Sequence, residues 1–172
     1  MKTFSFQRIG EYKESLQSHT MAARDYKDAT DLVVRGGYDM DTAVRRLTPT
    51  ECERLQGFPD NWTLIGEPEE NPKTGEVEYF YIDTNGKRKK VSDSARYKAL
   101  GNTIALPFWF YLLRRIAAQY ERPATMGSLF DGIGGFPLCW EKCNGEGTAI
   151  WASEIEEFPI AVTKEHFSEV RR

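Results

Sequence analysis

The chain has 172 residues, 40% of them hydrophobic and 13% aromatic, which suits one packed domain or one domain with an appendage and excludes wholesale disorder. Its formal net charge of −3 predicts no globally basic surface for nucleic acid, while leaving room for a local basic patch. No apolar run is long enough to span a bilayer and no charged-then-apolar leader opens the sequence, so a soluble, cytoplasmic protein without a membrane partner is expected.

Taken in chain order, Met1 to Ile9 is open to a strand, Tyr12 to Ser18 is polar, and Asp31 to Val34 forms a short strand ending at Gly36–Gly37. Arg24 and Lys27, just before it, are candidate contacts to DNA phosphates, with a solvated surface as the alternative. From Arg46 to Asp60 the pattern is sharper. Thr48 caps a helix, Pro49 takes its first position, and Glu51 completes a capping box worth about 1 kcal/mol. Leu47, Cys52 and Leu55 are expected to face inward, and Gly57 closes the helix in a left-handed turn.

Gly66 to Ser92 reads as an inserted hairpin, with Val77, Tyr79 and Tyr81 on one face and Asn85–Gly86 at the turn. The returning basic run Lys87 to Lys90 suits either a DNA backbone or a charged strand edge that resists pairing. Farther on, Asn102 is placed to cap a helix beginning near Thr103. The run Ile104 to Leu113 is apolar on every side, which predicts burial on every side. Arg114 and Arg115 return that helix to solvent, and Pro123 ends it.

Ala124 to Phe130 is predicted to be a short buried strand, and Asp131 to Gly135 a glycine-rich turn. A helix over Phe136 to Lys142, a strand over Thr148 to Ser153 and a helix over Pro159 to Phe167 follow. Strand–helix–strand–helix begins a parallel, doubly wound sheet, so the fold class is α/β. The turn then lies at the carboxyl edge of the sheet, where such folds bind ligands, and Glu154 ends the neighbouring strand beside it. An acid there suits ribose hydroxyls. A dinucleotide fingerprint would need a glycine where Pro137 stands, so the turn suits an adenosyl group without a pyrophosphate; a purely structural turn is the alternative. The three cysteines, even with His19 and His166, form neither a paired disulfide framework nor a zinc set, so no metal is expected.

Four segments resemble one family. Leu129 to Phe136 is similar to the first motif of the cytosine-specific (carbon-5) DNA methyltransferases, and Trp151 to Ile155 to their second. Arg46 to Asp60 resembles their ninth motif, and Tyr97 to Ile104 with Pro107 their tenth. The resemblance covers roughly Val44 to Phe167 apart from the hairpin insert, and Thr20 to Val34 is more weakly similar to the place where the target-recognition region rejoins the catalytic domain. It implies a partial, Rossmann-like methyltransferase fold: a three-layer parallel sheet in permuted order, with the ninth and tenth motifs ahead of the first and second. Implied domains are 1–43, the end of the recognition region; 44–122, the ninth- and tenth-motif helices with an insert at 66–92; and 123–172, the first strands and helices of the cofactor sheet.

The resemblance also implies a cofactor, S-adenosyl-L-methionine. Phe130, Gly132, Ile133, Gly134 and Gly135 would line its methionine and adenosine parts, Glu154 would hold the ribose with Ile155 against the adenine, and Asn102 and Thr103 would close over the amino-acid end. The family reaction needs a thiolate in a Pro-Cys loop and an acid in a Glu-Asn-Val segment, and neither occurs here. No residue of this chain is therefore assigned a catalytic role. Cys52, Cys139 and Cys143 read as packed residues. The expected function is the cofactor-binding portion of a DNA (cytosine-5-)-methyltransferase, inactive until completed. Its expected partners are DNA and a complementary catalytic half or subunit, or a second copy. A non-catalytic or degenerate module is the alternative.

Overall fold

The computed structural model describes residues 2–6, 12–15, 31–35 and 43–167, with side chains described over 45–167. Arg24, Lys27 and His19 lie outside the described residues. Strands β1 (Lys2–Phe6), β2 (Tyr12–Ser15), β3 (Asp31–Arg35) and β4 (Ala43–Arg46) form one antiparallel sheet in the order β2-β1-β3-β4. The polar stretch at Tyr12 is thus a strand as well.

Helix α1 (Pro49–Gln56) starts where its cap dictates. The Glu51 N–H donates to the Thr48 hydroxyl (3.3 Å), and the Thr48 N–H donates to Glu51 Oε2 (2.8 Å). Gly57 ends the helix at φ 84°. Arg45 lies 2.5 Å from Glu51 and draws its carboxyl down to about 2. Leu47 and Cys52 are buried as expected, but Leu55 is exposed, and the interior position goes to Glu53, which is fully buried. The reason is a set of hydrogen bonds that no apolar pattern announces. Arg96 donates to Glu53 Oε1 (3.1 Å) and to the Thr63 hydroxyl (2.8 Å), while the Thr63 amide donates to the same carboxylate oxygen (2.9 Å).

The insert is a three-stranded antiparallel meander, β5 (Glu67–Glu70), β6 (Val77–Ile82) and β7 (Arg88–Lys90), not a simple hairpin. The Glu-Pro-Glu-Glu of β5 carries no apolar alternation, so its sequence gave no strand signal. Helix α2 (Asp93–Gly101) follows, capped by the Ser92 hydroxyl, which accepts from the Ala95 amide (3.2 Å). Asn102 ends α2 as its C-cap and does not open the next helix. That helix, α3 (Leu106–Ala117), begins two residues later than the apolar run, because Pro107 belongs in a first turn and lacks the N–H of an interior one. Nor is α3 buried all round: Leu106 and Leu113 are inside, while Phe108, Tyr111 and Ile116 face out.

Parallel strands β8 (Met126–Leu129) and β9 (Ala149–Ser153) alternate with helices α4 (Gly135–Asn144) and α5 (Glu157–His166). The register pairs Ser128 with Ala152 on a buried face and Gly127 with Trp151 on an open one, so β8 is not the buried strand its sequence suggests. Helix α4 packs on α3, with Trp109 meeting Phe136 edge-on at 4.9 Å and the Cys139 thiol against the Leu106 carbonyl. Among the described residues no helix is long and apolar enough to cross a membrane.

Removing Arg96 leaves the Glu53 carboxylate buried without its cation, and Arg96→Met is expected to cost about 3–5 kcal/mol in urea unfolding. The α1 cap is acid-sensitive in a defined sense. The carboxyl of Glu51 titrates lower in the folded chain than its ordinary 4.5, so its contribution is complete above that value and vanishes as pH falls towards 2. Unfolding measured from pH 6 to 2 should show wild type losing more stability than Glu51→Gln, by about the 1 kcal/mol of a cap.

Candidate functional site

The turn between β8 and α4 is built from the inside outward. The Ser128 hydroxyl donates to Asp131 Oδ1 (2.6 Å), the Asp131 amide donates to the Ser153 carbonyl (3.0 Å), and the Gly134 amide donates to the Asp131 carbonyl (3.2 Å). Asp131 is therefore an interior brace. The side chain of Ile133 is fully buried, and its carbonyl accepts the indole N–H of Trp62 (2.8 Å). His166 stacks on that indole at 3.6 Å and donates from Nε2 to the Trp62 carbonyl (2.7 Å). Gly134, at φ 84°, leaves no room for a Cβ, which would sit 2.7 Å from Phe167. A Cβ on Gly135 would lie 3.1–3.4 Å from Leu106, Ile104 and Phe58.

The outer side of the turn is open. Phe130, held at φ 52°, keeps 86% of its surface exposed and Ile155 keeps 88%. Beside Ile155 in the chain stands Glu154. Its Oε2 accepts the Gly132 amide (2.8 Å), and its Oε1 accepts the amides of Ile155 (2.7 Å) and Glu156 (3.0 Å). A carboxylate has about four acceptor sites, so roughly one remains, on Oε2. Accepting two ribose hydroxyls would require one amide, that of Gly132, to let go. Above Gly132 the space is clear, since a Cβ there would meet nothing within 4 Å.

The nine residues expected at the cofactor thus fall into three groups. Phe130 and Ile155 are exposed and, with the half-buried pair Gly132 and Glu154, make up the outer shelf. Ile133, Gly134 and Gly135 are buried beneath it and shape the turn through their backbone. Asn102 and Thr103 join α2 to α3, two residues or fewer before the Ile104 that packs on Gly135. Asn102 also lines a cleft of about 280 Å³ with Tyr81, Lys98, Glu156 and Phe158, which contains none of the shelf residues. Sequence reasoning passed over Trp62 and gave Asp131 no role. A serine three residues before the aspartate was the available sign.

Phe130 and Ile155 offer apolar surface, and Glu154 offers about one remaining acceptor site. The expected thiol is another matter. Cys52 and Cys139 are buried, burial pushes the Cys139 thiol up to about 11 and raises that of Cys143 as well. Burial thus disfavours the thiolate at Cys139 and Cys143, and Cys52 is packed, as the sequence context of all three suggested. The basic run on β7 is also spent internally: Arg88 pairs with Glu69, Lys89 with Asp83 and Glu157, and Lys90 with Glu78.

Residues 2–74 match the family model described as C-5 cytosine-specific DNA methylase. That span contains Arg46 to Asp60 and begins well before Val44, but it stops short of Asn102 and of the glycine turn. The chain is 32% identical over 122 residues to a DNA-cytosine methyltransferase of Escherichia coli (strain K12), covering 63% of this chain and 21% of that protein. It is 28% identical over 118 residues to the type II methyltransferase M.NlaX of Neisseria lactamica, covering 69% and 27%. It is also 44% identical over 82 residues to a DNA N-6-adenine-methyltransferase of Escherichia phage P1, covering 44% and 11%. The chain therefore spans between 11% and 27% of the length of these relatives.

Two glycines of the turn separate its requirements. Gly132→Ala should cost only the left-handed backbone, about 1–2 kcal/mol, whereas Gly134→Ala adds a clash with Phe167 and should unfold at distinctly lower urea.

Proposed function

We propose that this chain, whose residues 2–74 match the model of the C-5 cytosine-specific DNA methylases, is the portion of a DNA (cytosine-5-)-methyltransferase that holds S-adenosylmethionine. One observation carries the reading: an acid at the end of β9 is hydrogen-bonded to the glycine turn at the end of β8, and the chain neighbours of the two, Phe130 and Ile155, are exposed. The adenosine would lie on those two side chains with its ribose edge towards Glu154. Gly132 leaves the approach open, Ile133, Gly134 and Gly135 hold the turn in shape, and Asn102 and Thr103 stand at the methionine end. When bound, the cofactor supplies an electrophilic methyl group; this chain's residues bind and orient it.

The order of segments supports a permuted arrangement. In chain order the tenth-motif helices α2 and α3 come first and the glycine turn later, yet α3 packs directly on α4, and residues 118–125 suffice to connect them. No described cysteine has an open, acidified thiol, so the attack on carbon 6 and most of the reading of DNA are assigned to protein beyond this chain. Cytosine is favoured as the target base by the family model and by the name of the Escherichia coli relative, while the M.NlaX name states no base. The phage relative named for adenine shares too small a part of its length to overrule them.

Calorimetric titration of the chain with S-adenosylmethionine tests the reading. Wild type should bind, and Glu154→Ala should weaken binding about 10-fold or more, the equivalent of losing a charge-assisted hydrogen bond. Equal affinities, or a wild type that binds none, would sink it.

A further inference from the structure

Strands β6 and β7 of the meander lie beyond the residues that match the family model, and the cations of β7 are paired with acids of this chain. The turn between these strands grips the first turn of α5. Asp83, whose side chain is almost fully buried, accepts the amides of Asn85 and Lys87 (both 2.8 Å) and so closes the β6–β7 connection. Lys89 then bridges Asp83 Oδ2 (3.0 Å) and the Glu157 carboxylate, and the Asn85 side-chain amide donates to Glu157 Oε1 (3.0 Å). Beside this grip, Tyr81 meets Phe158 edge-on at 5.5 Å. The two carboxylates raise the Lys89 ammonium above its ordinary range, so it is a fixed charge at any working pH.

Glu157 is three residues from Glu154. In this short stretch three acids reach three different elements: Glu154 to the glycine turn, Glu156 to Lys98 of α2 (2.8 Å), and Glu157 to Lys89 of the meander. The stretch itself has little packing to hold it, since Ile155 is almost wholly exposed. The position of the Glu154 carboxylate is therefore set by these tethers. We infer that Lys89 is a positioning residue, through which the inserted meander holds the β9–α5 loop and with it the acid of the proposed cofactor shelf. This rests on the cofactor reading for its purpose, but the mechanical link stands on the contacts alone.

Hydrogen exchange on the intact chain reads the link directly. The amides of Gly132, Ile155 and Glu156 report the Glu154 carboxylate that holds them. In Lys89→Met they should exchange about fivefold faster or more, and Lys89→Arg should restore wild-type rates. Arg88→Met is the control, because Arg88 pairs with Glu69 and covers the Phe80 ring, both within the meander. It loosens the insert without touching α5 and should leave the three amides unchanged. If Lys89→Met has no effect on them, or if Arg88→Met has the same effect, the inference is overturned. A parallel titration with S-adenosylmethionine separates the two claims. Weaker binding by Lys89→Met alone supports both, whereas the exchange pattern with no binding by wild type supports the link and overturns the cofactor reading.

Discussion

Everything described on the carboxyl side of β8 depends on how closely other elements approach five residues of backbone. From Asp131 to Gly135 the turn accepts the Trp62 indole at one carbonyl, a Ser128 hydroxyl at its aspartate, the Phe167 ring over Gly134, and Leu106, Ile104 and Phe58 over Gly135. Such approaches leave no space for a side chain at Gly134 and little at Gly135, so these two glycines answer a packing demand before they answer a ligand. The outer face is left free for the same reason. A turn filled from below can present only its backbone and its flanks above, and those flanks are Phe130 and Glu154.

That convergence explains why segments far apart in sequence belong together. Trp62 follows the α1 region, Leu106 opens α3, and Phe167 closes α5, yet all three touch the turn within six residues of one another. Their meeting does not depend on the order in which the chain supplies them. Parallel β8 and β9 with α4 and α5 would form the same site whether α1 to α3 came before or after, provided α3 packs on α4. The permuted reading of the sequence costs the packing nothing.

Local chemistry was legible wherever a residue's neighbours in sequence are also its partners in space. The capping box at Thr48 and Glu51, the left-handed Gly57, the strand–turn–helix around Gly132 and the packed cysteines all follow that rule. The failures share a cause. Glu53 was passed over as an interior residue because its partners, Thr63 and Arg96, are 10 and 43 residues away. Asn102 was misassigned because it can cap either a preceding or a following helix, and only Pro107 and Ser92 together decide which. The insert's basic strand was open to either a DNA contact or a charged edge, since its acidic partners Glu69, Glu78 and Glu157 lie on other strands and on α5 and leave no local sign; it is the edge strand β7. Glu154 was read correctly as an acid beside the turn, but the amide bonds that already occupy it have no sequence signature.

On the proposed function, burial that remains unmet marks where further protein would join. Parallel strands are ordinarily covered on both faces, yet Leu129, Ile150 and Trp151 stay 61%, 43% and 41% exposed around β8 and β9. Helix α3 presents Phe108, Tyr111 and Ile116 on its outer side. On the proposed function, the protein that supplies the thiol and the DNA-reading surface would cover this side and close over Phe130 and Ile155. Closing the shelf in that way would also withdraw water from Glu154, strengthening its remaining hydrogen bonds and favouring exchange of the Gly132 amide for a ribose hydroxyl. Binding of the cofactor and completion of the fold would then reinforce each other, because each orders the same exposed edge.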